Sequence, residues 1–236
     1  MRVSRDISSC HPVMTDDIDP YRGVAPEPGA EELIAARTVF GDQLEVARGF
    51  IAHLASSGIE RGLLGPREVP RLWGRHVLNC AVVADLMAPG TTVVDVGSGA
   101  GLPGLAIAIA RPDLHLHLVE PLERRVFWLN EVIDDLSLTK VTVHRARAEQ
   151  VIGEVVGDYV TARAVSALST LAGWMIPLAK PGGEVLAIKG RSAPEEIEKA
   201  RKVIHKLGGG PAEIVTVGAD VLADATTVVR VPVCSV

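Results

Sequence analysis

The sequence predicts an α/β protein with a mostly parallel, doubly wound sheet of seven strands, preceded by a small N-terminal helical extension. Three observations predict this fold. From residue 92 onward, short β-branched runs alternate with helical segments, which is typical of parallel strands joined by right-handed crossovers. A glycine-rich segment follows the first of these runs. The last two runs have no helix between them, so they are expected to pair as a terminal antiparallel hairpin.

The chain before the sheet divides into two parts. Residues 1–29 contain four prolines and several acidic side chains without periodicity, which predicts a flexible tail. Met14 is a second candidate for the start codon. Residues 30–88 form a helical region, because apolar residues recur at spacings of three and four up to Leu54 and a second helical stretch covers 72–87. A Gly/Pro-containing connector, 58–70, separates these two stretches.

The third part, residues 89–236, alternates between strands and helices. Each strand is a short run rich in Val, Leu, Ile or Thr, and Gly or Pro marks the turns at 181–183 and 208–210. The expected strands are 92–96, 115–120, 141–145, 159–163, 184–189, 212–217 and 226–231. The expected helices are 103–110, 122–136, 168–179 and 194–207, with a short helical turn around Gln150.

Bulk composition restricts the class of protein. The length of 236 residues suits one medium-sized domain with an extension, and 47% apolar residues are sufficient for its core. No apolar run is long enough to span a membrane, and no secretory signal follows the N-terminus. Three scattered cysteines predict neither a disulfide framework nor a metal site. We therefore expect a cytoplasmic protein without membrane contact or metal.

Charge is distributed unevenly along the chain. The net charge is −5, and residues 1–32 contribute −4 of it with three Arg against seven Asp and Glu. The remaining chain is therefore close to neutral. An acidic total does not exclude a nucleic-acid substrate, but its binding would require a local basic patch.

The glycine-rich segment VVDVGSGAGLPG, residues 93–104, predicts a nucleotide-type cofactor site. A strand, an acidic residue, a glycine turn and a helix hold such cofactors at the carboxyl end of the first strand. A dinucleotide fingerprint G-x-G-x-x-G also fits if it starts at Gly99, so the glycines alone do not exclude NAD. Asp95 favours S-adenosylmethionine, because with Gly97, Gly99 and Gly101 it gives (E/D)-x-G-x-G-x-G. S-adenosylmethionine has no pyrophosphate for the glycine turn to bind, and a carboxylate can orient its cationic amino-acid end.

Acidic residues after the second and third strands extend this site. Glu120 ends the second strand, where a carboxylate can accept hydrogen bonds from both ribose hydroxyls. A solvated acid at a strand end is the alternative. Ala148 and Glu149 follow the third strand, at the corner that contacts the adenine ring in such folds.

Arg163 is the most informative residue outside the glycine segment. It ends the fourth strand, so it faces the ligand crevice and can clamp a phosphate or a guanine edge. A structural ion pair is an equally plausible interpretation. Lys189 ends the fifth strand on the same rim, although a solvated lysine is the simpler reading. Residues 163–166 carry neither Asn/Asp-Pro-Pro-aromatic nor Pro-Cys, which disfavours methylation of exocyclic amines and of pyrimidine C5.

A basic face is predicted beside the cofactor segment. Arg67, Arg71, Arg75 and His76 have spacings of four, four and one, which on a helix form a surface suited to phosphates. A solvated face is the alternative, and a histidine on an apolar helix face is more often structural than a general base. Further candidate cations are Arg124, Arg125 and Arg147. Aromatic residues are too scarce to indicate a stacking platform for RNA.

Six segments taken together in order resemble one family. They are RLWGRHVLNCAVV, VVDVGSGAGLPGLAIAIARPD, VEPLERRVFWLNEV, RARAEQV, ARAVSAL and LAIKG. Their order and content resemble the RsmG (GidB) family, bacterial enzymes that methylate N7 of a guanine in 16S ribosomal RNA with S-adenosylmethionine. The likeness runs from about Trp73 to Lys189, and the composition is similar to that of actinobacterial members. It implies the Rossmann-like fold of class I S-adenosylmethionine-dependent methyltransferases.

The resemblance assigns roles by position. The family's cofactor-contacting residues fall on Gly97, Leu102, Ala148, Glu149 and Arg163, while Glu120 stands where members often have Asp. The family's Arg-His-x-x-Asp-Ser segment ends here in Asn-Cys at residues 79–80, which removes a carboxylate. The resemblance also implies that the partner is 16S rRNA within a small subunit or an assembly intermediate, and that the enzyme is a monomer.

The implied chemistry needs no base. Guanine N7 already carries a lone pair, so catalysis requires in-line positioning and charge stabilisation. We therefore expect Arg163 to position the guanine or its phosphate. A small-molecule or protein methyltransferase and a non-catalytic cofactor-binding protein remain open alternatives, and an NAD oxidoreductase is weaker because nothing marks a hydride-transfer site.

Overall fold

The computed structural model describes residues 25–163 and 166–234, which contain one seven-stranded sheet. The strand order is β3-β2-β1-β4-β5-β7-β6. All neighbouring pairs are parallel except the two made by β7, which runs antiparallel to β5 and β6. The strands are β1 (Thr92–Val96), β2 (His115–Val119), β3 (Val141–His144), β4 (Gly157–Arg163), β5 (Ala179–Lys189), β6 (Glu213–Val217) and β7 (Thr226–Pro232). The predicted parallel sheet with a terminal antiparallel hairpin is confirmed.

Residues 30–86 are helical but broken into short pieces. Helix α1 (Ala30–Phe40) ends at Gly41, whose φ of +50° leaves the helical region. Helix α2 (Leu44–His53) continues into a π-helical turn, Leu54–Gly58. The predicted connector 58–70 is not wholly irregular, because Pro66–Arg71 forms a 3₁₀ helix. A π-helical segment (Leu72–Leu78), the short α3 (Asn79–Ala81) and a 3₁₀ segment (Val82–Leu86) complete the region.

The helices between the strands lie close to their predicted positions. They are α4 (Gly104–Ala110), α5 (Glu123–Asp135), α6 (Leu168–Met175) and α7 (Ala193–Lys206). The helix expected over 168–179 ends earlier, since a 3₁₀ turn, Ile176–Leu178, leads directly into β5. The turn expected at 181–183 lies inside that strand. There the Gly182 N–H donates to Val233 O and the Gly183 carbonyl accepts from the Val233 N–H, so the sheet satisfies the backbone.

Two apolar layers cover the sheet. On one face the N-terminal helices pack with α4 and α5, and Phe50, Trp73 and Trp128 are buried in a single core with sheet residues. On the other face α6 and α7 cover β4, β5 and β7. Because the first layer is continuous across residue 88, the domain boundary at 88/89 stays a prediction.

The N-terminal tail is described only from residue 25. Residues 1–24, including Met14, lie outside the described part of the chain, so their predicted flexibility stays a prediction. At the start of the described part, the Trp73 Nε1–H donates to Pro26 O at 2.8 Å. Glu27 pairs with Arg48 at 2.8 Å. Within the described ranges, no helix combines the length and the apolar character that crossing a bilayer requires.

Candidate active site

The strand order places a crevice at the carboxyl ends of β1 and β4. From β1 the chain builds outward to β2 and β3 on one side, and to β4 and β5 on the other, so the connections leave in opposite directions. Ligands in open α/β sheets bind at this switch point. The glycine turn after β1 lies there, with the Gly97 N–H donating to Val119 O at 2.9 Å.

Backbone conformation explains two of the glycines. Gly99 and Gly101 have φ values of +53° and +74°, which side chains other than glycine rarely adopt. A Cβ at Gly101 would lie 2.5 Å from Leu105 Cδ1, so this position also needs glycine for packing. A Cβ at Gly99 would only make ordinary contacts, with Gly97 O at 3.7 Å and Arg125 Nη1 at 3.9 Å, so the positive φ rather than packing requires glycine there. Leu102, in the same turn, is buried.

Asp95 is fully buried at the end of β1. Its Oδ2 accepts from the Gly104 N–H at 3.0 Å, which caps the first turn of α4. Its Oδ1 is buried and has no partner among the described residues. Burial raises the pKa of Asp95 to about 7, against the lowering effect of these hydrogen bonds. One carboxylate oxygen is therefore committed to the fold, and the other is available to a cationic ligand group.

Glu120 holds the glycine turn and the next helix together. It is buried, and its Oε2 accepts from the Gly99 N–H while its Oε1 accepts from the Leu122 N–H, both at 3.0 Å. Arg125 Nη1 lies 3.6 Å from Oε2. Each carboxylate oxygen can accept a second hydrogen bond. Glu120 is thus no solvated strand-end acid, and it retains acceptor capacity for ribose hydroxyls.

A cavity of about 240 Å³ opens beside this turn. Its floor is made by Gly97 and Val119, and its walls include Ala148, Glu149 and Trp174. Ala148 is buried and Glu149 is exposed in the short helical turn Ala148–Gln150. A mostly apolar cavity with a backbone amide and an acid in its wall suits an adenine ring. Sequence reasoning missed Trp174, because nothing in its helical spacing marks a ligand contact.

Arg163 is half-buried at the end of β4 and contacts the N-terminal helical region. Its Nη1 donates to His76 O at 3.2 Å and to Cys80 Sγ at 3.0 Å, and its Nη2 donates to His76 Nδ1. No carboxylate lies within ion-pair distance among the described residues, so the alternative of a direct ion pair is not observed. The Nε–H and one Nη2–H remain available for a ligand.

His76 links Arg163 to Glu68. A guanidinium only donates, so Nδ1 must accept, and Nε2 carries the proton and donates to Glu68 Oε2 at 2.7 Å. Burial lowers the pKa of His76 despite the opposing effect of Glu68, which keeps the ring neutral. Both ring nitrogens are therefore occupied, and His76 has no free lone pair with which to act as a base. Hydrogen bonding to His76 lowers the pKa of Glu68.

The structure does not bring the predicted basic residues onto one surface. Arg67, Arg71 and Arg75 are exposed, but His76 is buried, because the segment Leu72–Leu78 turns its apolar side and His76 inward. Lys189 is half-buried, and its side chain is only 8% exposed: its ammonium donates to Ser166 O at 2.6 Å and pairs with Glu196 at 2.8 Å. The remaining candidates divide by exposure into Arg124 and Arg147, which are exposed, and Arg125, which is half-buried.

A second cavity of about 310 Å³ lies on the opposite side of β4. Arg163 and Lys189 end the strands that support it, and it is closed by Asp224 from the loop before β7 and by Thr226 at the start of β7. Because β7 runs antiparallel, it begins at the edge where β5 ends, with Thr227 opposite Lys189. Sequence reasoning missed Asp224, since a loop acid carries no signal until the strand order places it. Residues 164–165, part of the segment used above to disfavour other chemistries, lie outside the described ranges.

The two cavities flank one point at the ends of β1 and β4. The first suits a nucleoside and is lined by Val96 and Gly97, which directly follow Asp95 in the chain, while the second is rich in cations. This arrangement can place a cofactor and an acceptor on either side of Arg163. Among the described residues no nucleophile and base pair lies at that point, so the geometry suits group transfer to an acceptor that is already nucleophilic.

Comparison with known sequences identifies close relatives. The model of a family described as rRNA small subunit methyltransferase G matches residues 43–223. A protein named ribosomal RNA small subunit methyltransferase G from Arthrobacter sp. (strain FB24) is 66% identical over 202 residues, covering 86% of this chain and 94% of its own. The protein of the same name from Salinispora tropica is 49% identical over 215 residues, covering 88% of this chain and 89% of its own.

Solved structures share the fold at low sequence identity. A putative transferase from Pyrococcus horikoshii is 17% identical, has a TM-score of 0.54, and matches 67% of this chain and 63% of its own. M. jannaschii TYW2, solved in complex with AdoMet, is also 17% identical, with a TM-score of 0.51 over 65% of this chain and 73% of its own. These matches show the fold alone, and they agree with the class predicted from the sequence.

Proposed function

Because the chain belongs to the family of rRNA small subunit methyltransferase G, we propose that it transfers the methyl group of S-adenosylmethionine to N7 of a guanine in 16S rRNA. The observation that carries this proposal is the pair of cavities on either side of Arg163, at the switch point of the sheet. One cavity suits the adenosine of the cofactor and the other a nucleobase.

The residues around the glycine turn fit S-adenosylmethionine. The turn of Gly97, Gly99 and Gly101 lets the backbone approach the cofactor, with Leu102 closing it from the core side. Asp95 Oδ1, buried and unpartnered, faces the cationic amino-acid end. The carboxylate of Glu120 holds the ribose, and Ala148 with Glu149 borders the adenine. When bound, the cofactor supplies an electrophilic methyl group on a sulfonium.

Arg163 acts by positioning. Its guanidinium is fixed by His76 and Cys80, so its two remaining N–H groups keep one direction and can hold guanine O6 or a phosphate oxygen. Guanine N7 attacks with its own lone pair, and no proton has to leave before the new bond forms. The rate then depends on in-line approach and on exclusion of water, for which the buried relay through His76 to Glu68 holds Arg163 rigid.

RNA binding uses exposed cations near the two cavities. Arg75 lines the second cavity and Arg147 lines the cofactor cavity, while Arg67, Arg71 and Arg124 are further exposed cations. Scattered surface arginines of this kind bind phosphates without reading sequence. We infer a small ribosomal subunit or an assembly intermediate as the substrate, and with it a monomeric enzyme that acts in the cytoplasm.

The test is transfer of labelled methyl from S-adenosylmethionine to small subunits purified from cells that lack this gene. We expect label in 16S rRNA at a guanine whose glycosidic bond becomes labile to mild base, which is diagnostic of N7 methylation. Arg163→Gln should reduce the rate at least about a hundredfold, by loss of a positioning charge. Arg201→Gln, an exposed arginine on α7, is the matched control and should keep full activity.

Three results would contradict the proposal. Label in protein or in small molecules, with none in RNA, would indicate a different acceptor. Cofactor binding without any transfer would indicate a non-catalytic binding protein. Label at a pyrimidine or at an exocyclic amine would leave the cofactor assignment standing and overturn the N7 chemistry.

A further inference from the structure

We infer that Asp224 recognises the acceptor base through its Watson–Crick edge and thereby selects guanine, an inference that rests on the proposed function. Asp224 lies in the wall of the 310 Å³ cavity, two residues before β7 begins. Pockets for small ligands measure roughly 300 to 1,000 Å³, so this cavity has room for a single base rather than for a larger group.

Asp224 is the one carboxylate in a wall of cations. Arg75, Arg163, Lys189 and Arg191 also line the cavity. The ammonium of Lys189 is paired with Glu196, but Asp224 makes no hydrogen bond or ion pair with any described residue and is exposed. An unpaired acid at a site for a polyanion weakens phosphate binding by repulsion. Its presence there is consistent with contact to a base edge, not to the RNA backbone.

The loop that carries Asp224 is anchored next to the cavity. The hydroxyl of Thr226 is buried and lies 2.8 Å from Asn79 O and 3.0 Å from Asn79 Oδ1. This contact ties the start of β7 to the short helix α3, next to Cys80, which contacts Arg163. Asp224 therefore has a defined position relative to Arg163.

The two edges of guanine match the two sides of this cavity, the side of Arg163 and the side of Asp224. N7 and O6 lie on one edge of the base, and the N1–H and N2–H donors lie on the Watson–Crick edge. When N7 approaches the transferred methyl near the end of β4, the donors point away from N7 toward the far wall. An ionised carboxylate only accepts hydrogen bonds, and its two oxygens can take both donors. Adenine presents an acceptor, N1, at the same place, so a carboxylate rejects it.

Charge development gives Asp224 a role in the rate as well. As N7 accepts the methyl group, the S–CH₃ bond breaks, sulfur keeps the electron pair, and the guanine ring becomes cationic. The N1–H then donates more strongly, so its bond to a carboxylate strengthens in the transition state. Loss of Asp224 should therefore lower kcat, and not only raise KM.

The test compares guanosine with inosine at the nucleotide that the wild-type enzyme labels. Inosine keeps N7, O6 and N1–H but lacks the N2 amino group. Small subunits reconstituted with either nucleoside are methylated by the wild type, by Asp224→Ala and by Asp224→Asn. We expect the wild type to prefer guanosine about tenfold in kcat/KM. Asp224→Ala should reduce kcat on guanosine at least about tenfold and bring the preference close to one, with Asp224→Asn in between.

Controls separate selection of the base from folding and from cofactor binding. Asp220→Ala removes an exposed acid four residues earlier in the same loop and should keep the wild-type preference. Affinity for S-adenosylmethionine and Tm should be unchanged in Asp224→Ala, since this side chain has no partner in the described fold. Equal use of inosine and guanosine by the wild type, or an unchanged preference in Asp224→Ala, would overturn the inference while N7 transfer still stands. Absence of any labelled guanine with the wild type would overturn the proposed function itself, and this inference with it.

Discussion

Replacing Asp95 by Asn should remove a pH-dependent loss of stability in the cofactor-free protein. Asp95 is fully buried, and its pKa is raised from 3.8 to about 7, first by desolvation. The folded state therefore holds a proton that the unfolded state releases. The unfolding free energy is highest below the unfolded pKa, falls as the pH rises through the interval between the two values, and levels off above the folded value.

The size of this effect follows from linkage. Each pH unit over which the folded state holds one extra proton changes the unfolding free energy by about 1.4 kcal/mol. For pKa values of 3.8 and about 7, the wild type should lose roughly 3 kcal/mol relative to Asp95→Asn between pH 5 and pH 8. Asn keeps an oxygen for the Gly104 N–H and carries no ionisable proton.

The assay is urea unfolding of both proteins at several pH values, with the difference in unfolding free energy plotted against pH. His117 and His144 also titrate abnormally, because burial lowers the pKa of both rings. These histidines are present in both proteins, so their contribution cancels in the difference. A difference that stays flat within about 0.5 kcal/mol from pH 5 to pH 8 would refute the argument that Asp95 is buried and protonated.

The same proton connects stability to cofactor binding. If the cationic end of S-adenosylmethionine contacts Asp95 Oδ1, the carboxylate must be ionised in the complex. Binding at pH 6 should then release about 0.9 of a proton, measured by calorimetry in buffers of different ionisation enthalpy. Asp95→Asn should release none from this site, and equal release by both proteins would show that the cofactor does not contact this carboxylate.

Three further predictions test the relay, the buried ion pair and the glycine turn. At saturating S-adenosylmethionine, single-turnover methyl transfer should vary less than about threefold between pH 6.5 and 8.5 because no base is required. His76→Gln should lower the rate without changing this profile, and a log-linear rise with pH that His76→Gln abolishes would contradict the relay. Lys189→Met should lower the unfolding free energy by roughly 2 kcal/mol, because Glu196 loses its charged partner but keeps hydrogen bonds from the Leu168 N–H and the Ser192 hydroxyl. The exposed Lys202→Met should leave the unfolding free energy unchanged, and equal effects of the two would mean that the pair contributes nothing. Gly101→Ala should lower the free energy of unfolding by roughly 2 kcal/mol and weaken cofactor binding, because of the positive φ and the clash with Leu105. Gly65→Ala has free space for the added Cβ and serves as the control. Equal Tm values for the two variants would disprove the packing argument.

Much of the fold could be predicted because local pattern and topology agree. The strands after residue 92 are short β-branched runs bounded by glycine or proline, and the absence of a helix between the last two predicts their antiparallel pairing. The family resemblance drawn from motif order is confirmed by the family match and by the relatives. The prediction was wrong at 181–183, where glycine and proline lie inside β5. Its backbone groups pair with the segment after β7, a partner that local sequence cannot reveal.

The candidate site also contains residues whose position the sequence could predict and residues whose position it could not. Asp95 lies near the end of β1, and Gly97 and Glu120 directly follow β1 and β2, so parallel topology alone brings them to one edge. His76 and Lys189 are different, because burial depends on what packs above them. His76 faces inward to Arg163, and Lys189 meets Glu196 from α7, seven residues along the chain. Spacing predicts which face a residue occupies, but not whether another element covers that face.

Residues 79–80 are Asn-Cys where the family pattern has Asp-Ser, and this difference has a physical consequence for the proposed chemistry. The family's Asp-Ser would place a carboxylate in the helical segment that contacts Arg163. Here the oxygen of Asn79 is engaged with Thr226, and Cys80 presents only a sulfur acceptor to the guanidinium. Burial raises the pKa of the Cys80 thiol, so this contact adds no negative charge. The nearest acid along the relay, Glu68, reaches Arg163 only through a neutral imidazole. Arg163 therefore keeps its full positive charge toward the acceptor cavity, and Asp224 is left as the one acid in that wall able to oppose it.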